Sequence, residues 1–136
     1  MNSLYDTARF RFATAGIDWR AIDMRCVALS GSPDFVPADM TLGNILARSH
    51  TVLSYSIAPL TKAVAADGSC QTGPMQLPAG TAGTVNWMVL VQHNAVQANA
   101  QLIEYIDEGF EIPFEFLGLP LMLQPDWSAN RGWFKL

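Results

Sequence analysis

The clearest pattern in the chain is a pair of apolar runs, Trp87–Val91 and Leu102–Ile106, separated by a stretch of polar and small residues. Both runs are rich in β-branched and aromatic side chains, which favours strands with buried faces. His93–Gln101, between them, contains no Gly or Pro for a tight turn, so we predict a wide hairpin or a corner between sheets. A helix is the alternative for the second half, because four apolar residues there also have helical spacing: Ala95, Ala98, Leu102 and Ile106.

Alternating runs predict further strands. In Ile22–Ala28 the even positions are apolar, whereas Asp23 and Arg25 point the other way, as in a strand with one face on a core. Other strands are expected at Thr51–Ile57, Met75–Leu77, Phe110–Leu117, Leu119–Gln124 and Trp133–Leu136. The fold class that follows is mainly β: an antiparallel β-sandwich or barrel-like domain, with residues 1–136 forming a single domain.

A short α-helix is expected near the N-terminus, within Asn2–Gly16. Ser3 is the predicted N-cap, Asp6 lies three residues later where a capping-box partner belongs, and Gly16 is the predicted left-handed stop. One face of this helix would be apolar, formed by Leu4, Ala8 and Phe12. Because about three helical turns are marginal in water alone, the helix should dock against a sheet.

Turn-forming residues separate these elements. Ser30–Asp34 is a turn by composition, and Phe35–Thr51 is expected to be a long loop that contains one short element. Gln71–Gly83 contains five Gly and Pro residues, so we expect it to be irregular apart from the short strand within it.

The aromatic run Phe110–Leu117 is the strongest candidate for a contact surface. Alternation would place its aromatic residues on one side and Glu111 and Glu115 on the other, and Pro113 restricts the run to a sheet edge or a bulge. Such an edge suits an inter-subunit contact, with a capped edge as the alternative. The candidate interface residues, expected to include both core and interface positions, are Phe110, Phe114, Phe116, Trp127 and Trp133.

Composition narrows the classes of function. Half of the residues are hydrophobic and 15% are charged, against about 25% charged residues in a typical domain, which favours stable association with other subunits. The net charge is −4 and the basic residues are scattered, so we expect no nucleic-acid partner. We also expect no membrane partner and synthesis in the cytoplasm, because no run of about 18 apolar residues and no secretory signal are present.

The sequence contains no pattern typical of catalysis. Cys26 and Cys70 do not have metal-ligand spacing with His50 or His93, and the known nucleotide-binding and nucleophile motifs are absent. Cys26 is expected to be a buried thiol, whereas Cys70 falls in a loop-like region. We therefore expect no enzymatic activity, no cofactor, no metal and no small-molecule substrate. A solvated strand face explains Glu111 and Glu115 as well as a cation site or a catalytic pair would.

Three blocks of sequence, taken together and in this order, carry a resemblance to a known protein family. The first comprises Ser3–Arg9, Phe12–Trp19 and Met24–Leu29. The second comprises Gly83–Val85, Met88–Val91 and Ala98–Asp107. The third is the ending Trp127–Leu136, with an Asn-containing turn and a short aromatic-Lys-Leu strand. Together these blocks resemble a family of tailed-bacteriophage virion proteins. They cover roughly half of the chain, and the sequence departs from the family pattern in Phe35–Gly80 and Phe110–Leu123.

The resemblance implies a compact antiparallel β domain displayed in many copies on a virion. Members of this family look like head decoration or cement proteins, which clamp neighbouring capsid subunits. The expected partners are thus the major capsid protein and further copies of this chain in a homo-oligomer, on the capsid exterior. A tail, baseplate or fibre-base subunit is the alternative within the same class, and a small-molecule-binding β-barrel or an enzyme is the alternative outside it.

Overall fold

A five-stranded antiparallel sheet forms the centre of the protein, in a computed structural model that describes residues 2–125 and 133–135. Its strands are β1 (Ser3–Leu4), β2 (Met24–Leu29), β3 (Val52–Tyr55), β8 (Trp87–Gln92) and β9 (Gln101–Ile106). They lie in the order β1-β9-β8-β2-β3, and each neighbouring pair is antiparallel. The predicted central pair is thus confirmed: β8 and β9 are adjacent strands, and the helical alternative for the second half is wrong.

Three smaller antiparallel groups of strands form a second layer. Their strands are β4 (Lys62–Val64), β5 (Ser69–Thr72), β6 (Met75–Leu77), β7 (Gly83–Val85), β10 (Phe114–Phe116), β11 (Leu121–Leu123) and β12 (Phe134–Lys135). β10 pairs with β7, β11 pairs with β6, and β5 lies between β4 and β12. The prediction of a mainly β, antiparallel fold with a short N-terminal helix is confirmed, and the sheets do not close into a barrel.

Two short α-helices and a 3-10 turn complete the described elements. Helix α1 spans Asp6–Ala13, α2 spans Leu42–Leu46, and the 3-10 turn spans Gln97–Asn99 in the β8–β9 connection. Helix α2 is the single short element that the sequence predicts within Phe35–Thr51.

The central sheet is buried on both faces, because its strands alternate between two apolar cores. On one face, residues such as Cys26, Met88 and Leu90 pack with residues of the small strand groups, among them Met75, Leu77, Val85, Phe116, Leu123 and Trp133. On the other face, Val27, Trp87 and Val89 pack with Tyr5, Phe35, Leu42 and Ile45. The prediction that the β2 region has a single buried face is therefore wrong: the segment around α2 covers the second face.

The predicted caps of α1 are wrong at both ends. Ser3 lies in β1 and pairs with Tyr105 of β9, so the helix begins only at Asp6, with Tyr5 at the N-cap. At the other end, the Gly16 N–H donates to Arg11 O and the Ala15 N–H donates to Phe12 O. These two bonds define a Schellman motif in which Ala15, with φ 58°, and not Gly16, takes the left-handed position.

The structure also corrects two assignments in the second half of the chain. Cys70 lies in strand β5 rather than in a loop, and both Cys26 and Cys70 are buried free thiols. The predicted alternation from Phe110 is wrong, because Gly109, Phe110 and Glu111 all have left-handed φ values and form a turn before β10. The closing strand is confirmed: β12 pairs with β5, and the Trp133 N–H donates to Cys70 O.

Candidate functional site: an apolar groove beside β10 and β11

An open groove of about 440 Å³ lies beside strands β10 and β11. Five of its eight lining residues are apolar and three are polar. The eight are Phe110, Glu111, Phe114, Glu115, Leu121, Met122, Leu123 and Gln124. These residues come from one part of the sequence, so the turn before β10 and the β10–β11 connection bring them together. The groove overlaps the aromatic run in which the sequence analysis placed the candidate interface.

Strand pairing fixes the walls of the groove. β10 pairs with β7 so that Phe114 lies opposite Val85, and β11 pairs with β6 so that Leu121 lies opposite Leu77. Because Val85 and Leu77 are fully buried core residues, both walls of the groove are held by strands that the core immobilises. The surface is therefore preorganised for contact.

The turn that leads into the groove has an unusual backbone. Phe110 and Glu111 have φ values of 52° and 61°, in the left-handed region that residues with a Cβ adopt at a free-energy cost of about 1–2 kcal/mol each. Phe110 is held there by stacking on Trp133, with ring centroids 4.9 Å apart and planes 20° apart. The stack ties the groove wall to the C-terminal strand.

Several large apolar side chains are exposed in and next to the groove. Met122 is 48% exposed, and the residues that connect β10 to β11 include Leu117 at 75% and Leu119 at 66%. Isolated exposed leucines are common on protein surfaces, but neighbouring ones beside an apolar groove form the kind of patch that proteins use for contacts. The segment from Phe110 to Leu123 therefore leaves several large apolar side chains exposed to solvent, although its strands β10 and β11 are paired.

Two carboxylates edge the groove. Glu111 and Glu115 are both exposed, and Glu115 accepts a hydrogen bond from the Thr84 hydroxyl on the neighbouring strand β7. The two residues do not share a strand face as predicted, because Glu111 belongs to the turn and only Glu115 to β10. They place two negative charges beside the apolar lining residues, as at the polar rim of many contact surfaces.

The structure divides the candidate interface residues. Phe116 and Trp133 are 2% and 6% exposed and belong to the core between the central sheet and the small strand groups. Phe110 and Phe114 are half-buried and line the groove. Trp127 lies outside the described residues. Sequence reasoning missed Leu117, Leu119 and Met122, although Gly118 and Pro120, which lie among them, are a signal of an exposed connection.

The histidines take part in ordinary polar contacts. His93 Nδ1 lies 2.9 Å from the Tyr55 hydroxyl oxygen, and His50 Nε2 lies 2.9 Å from Asp34 Oδ2. Burial raises the pKa of both cysteine thiols, that of Cys70 to about 12. Over residues 2–125 and 133–135, no group of His, Cys, Asp and Glu side chains is arranged to hold a metal ion.

A charged cluster that the sequence analysis did not find anchors the segment around α2. Arg48 Nε lies 2.7 Å from Asp34 Oδ2, and Arg48 Nη2 lies 2.6 Å from Asp39 Oδ2. The Arg48 guanidinium and then His50 hold the pKa of Asp34 below its usual range. The cluster joins three points of one long loop, so it has a structural explanation.

No family model, curated protein or solved structure matches the chain. Among the described residues, none of the helices has the length and apolar character needed to cross a membrane. The groove is therefore the structural feature that bears most on function.

Proposed function

We propose that the protein is a structural protein of a tailed-bacteriophage virion, a decoration or cement protein that binds the assembled head lattice and stabilises it. The observation that carries this proposal is the preorganised apolar groove with its neighbouring exposed side chains. The order of the three sequence blocks supports the same class. The groove is the surface that would contact the major capsid protein or a further copy of this chain.

The physical basis of such a role is preferential binding to the assembled state. A protein that binds the assembled lattice and not its separate subunits shifts the assembly equilibrium by mass action. Many copies on one particle add their contributions, and oligomers gain further affinity through avidity. An exposed apolar groove with a charged rim has the composition of contact surfaces that exclude water at the centre and remain hydrated at the edge.

Sedimentation tests the proposal. The purified protein would be mixed with empty heads of the phage that encodes it and, separately, with isolated tails of the same phage. We expect saturable co-sedimentation with heads and none with tails. Binding to tails alone would instead make the protein a tail or baseplate subunit.

A different result would exclude every kind of virion protein. A protein that sediments with neither particle, and whose melting temperature rises with a specific small molecule at about micromolar concentration, is a ligand-binding protein or an enzyme.

A further inference from the structure

Glu104 is a buried carboxyl group on the central sheet. It lies on β9 between Leu4 of β1 and Leu90 of β8, and it is 2% exposed. The register of β8 and β9 shifts beside it, which leaves Ile103 as an additional residue in β9. A carboxyl group in this position has lost its water of solvation, so it must be hydrogen-bonded or neutral.

One oxygen of the Glu104 carboxyl group is not satisfied. Its Oε2 atom is buried and has no hydrogen-bond partner within the part of the chain that the structure describes. Burial raises the pKa of Glu104 well above its usual range, so the group holds its proton to a higher pH than an exposed glutamate does. Unpartnered buried polar atoms are rare in folded proteins and require an explanation.

Glu104 lines a pocket of about 280 Å³ at the β1 edge of the sheet. The other lining residues are Asn2, Ser3, Leu4, Arg9, Trp133 and Phe134. The Arg9 guanidinium donates to Ser3 Oγ and to Leu4 O, each at 3.3 Å. Both acceptors are neutral, so among the described residues the charge of Arg9 has no carboxylate partner. The pocket thus combines a cation, a carboxyl group and apolar walls.

We propose that this pocket binds a small carboxylate, whose oxygens accept hydrogen bonds from the Arg9 guanidinium and from the protonated carboxyl group of Glu104. Leu4, Trp133 and Phe134 provide apolar surface for the carbon chain. Arg9 disfavours a cationic ligand by repulsion, whereas a carboxylate gains a charge-assisted hydrogen bond from it. The site is separate from the groove, and the inference does not depend on the proposed virion role.

The pH dependence of binding follows from the groups around Glu104. Cys26 from β2 and Cys70 from β5 lie close enough to feel the charge of Glu104, and Arg9 from α1 lines the same pocket. Burial raises the pKa of both thiols, so they stay neutral. Glu104 is the group whose ionisation removes a donor and adds a repelling charge. Carboxylate binding should therefore weaken as pH rises through the raised pKa of Glu104.

A titration with sodium propionate, followed by NMR at the Trp133 indole N–H, tests the site. We expect saturable shifts in the wild type and at least a tenfold loss of affinity in Arg9→Gln. The matched control is Arg20→Gln, an exposed arginine that does not line the pocket, with unchanged affinity. Glu104→Gln retains an N–H donor and cannot ionise, so its affinity for propionate should not fall as pH rises.

Two peptide arms identify the source of the carboxylate. A short peptide with a free C-terminus that binds at least tenfold more tightly than propionate, while its amidated form does not bind, indicates the terminal carboxylate of a protein partner. If the peptide with a free C-terminus binds no more tightly than propionate does, the ligand is a small free carboxylic acid. The proposal is wrong if no saturable shift occurs with any probe, or if Arg9→Gln and Arg20→Gln bind alike.

Discussion

At the scale of single residues, the structure departs from the sequence expectations where a local sequence pattern is compatible with more than one backbone conformation. Gly16 satisfies the rule for a left-handed helix stop, but the helix ends one residue earlier and Ala15 takes that conformation. Alternation likewise predicts a strand from Phe110, and it cannot reveal that Phe110 and Glu111 adopt left-handed backbone. The reason is that stacking on Trp133, distant in sequence, stabilises the turn.

The left-handed Ala15 gives a stability prediction. Ala15→Gly should raise the free energy of unfolding by about 0.5–1 kcal/mol, because glycine adopts a φ of 58° without a Cβ clash. Chemical denaturation measures the change. In the matched variant Ala13→Gly, within the helix, the same substitution should lower stability by a comparable amount. Equal destabilisation of both variants would contradict the assignment of the Schellman motif.

The raised pKa of buried Glu104 predicts that the free energy of unfolding depends on pH. Its pKa is raised in the folded protein, so the stability that the protonated group contributes is fully present below the unfolded pKa, about 4.3. That stability is lost as pH rises through the folded pKa, at up to about 1.4 kcal/mol per pH unit. Denaturation at a series of pH values should show this decline in the wild type and a shallower one in Glu104→Gln. Identical profiles would show that Glu104 has no raised pKa.

At the scale of elements, the strands that local alternation defines were predictable, and the pairings between distant strands were not. The β8–β9 pair and the strand Met75–Leu77 follow from residues that are neighbours in sequence. By contrast, β1 forms because the edge of β9 accepts a partner from the other end of the chain. The groove has the same origin, since β10 and β11 pair with β7 and β6 and not with each other.

The segment around α2 depends on the Arg48 cluster, which no short-range pattern reveals. Arg48→Met should lower the free energy of unfolding by about 2 kcal/mol, because Asp39, 8% exposed, loses its charged partner. Thermal denaturation at neutral pH measures the effect. Arg20→Met, at an exposed position, serves as the control with little change expected.

The same cluster predicts sensitivity to acid. The pKa of Asp34 is lowered by Arg48 and His50, so its contribution to stability is present above the unfolded pKa, about 3.9. It is lost as pH falls through the lower folded value. In Arg48→Met, this part of the acid-induced loss should be reduced. An unchanged acid profile would indicate that the ion pairs contribute nothing to stability.

At the scale of the whole molecule, the chain builds three layers, and the middle one is a sheet that is buried on both faces. This arrangement accommodates the high apolar content without explaining all of it, because Leu117, Leu119 and Met122 remain exposed beside the groove. The sequence indicated association through the aromatic run. It did not divide the core residues Phe116 and Trp133 from the groove residues, because that division depends on which strands cover them.

The most direct test of the proposed virion role is the affinity of a groove variant for phage heads. Met122→Glu places a charge on a groove residue, and Val96→Glu places the same charge on a residue that is 57% exposed and does not line the groove. In quantitative co-sedimentation, Met122→Glu should bind at least about tenfold more weakly than wild type, a loss of about 1.4 kcal/mol. Val96→Glu should bind as wild type does. Equal binding by all three proteins, or no binding of the wild type to heads, would contradict the account.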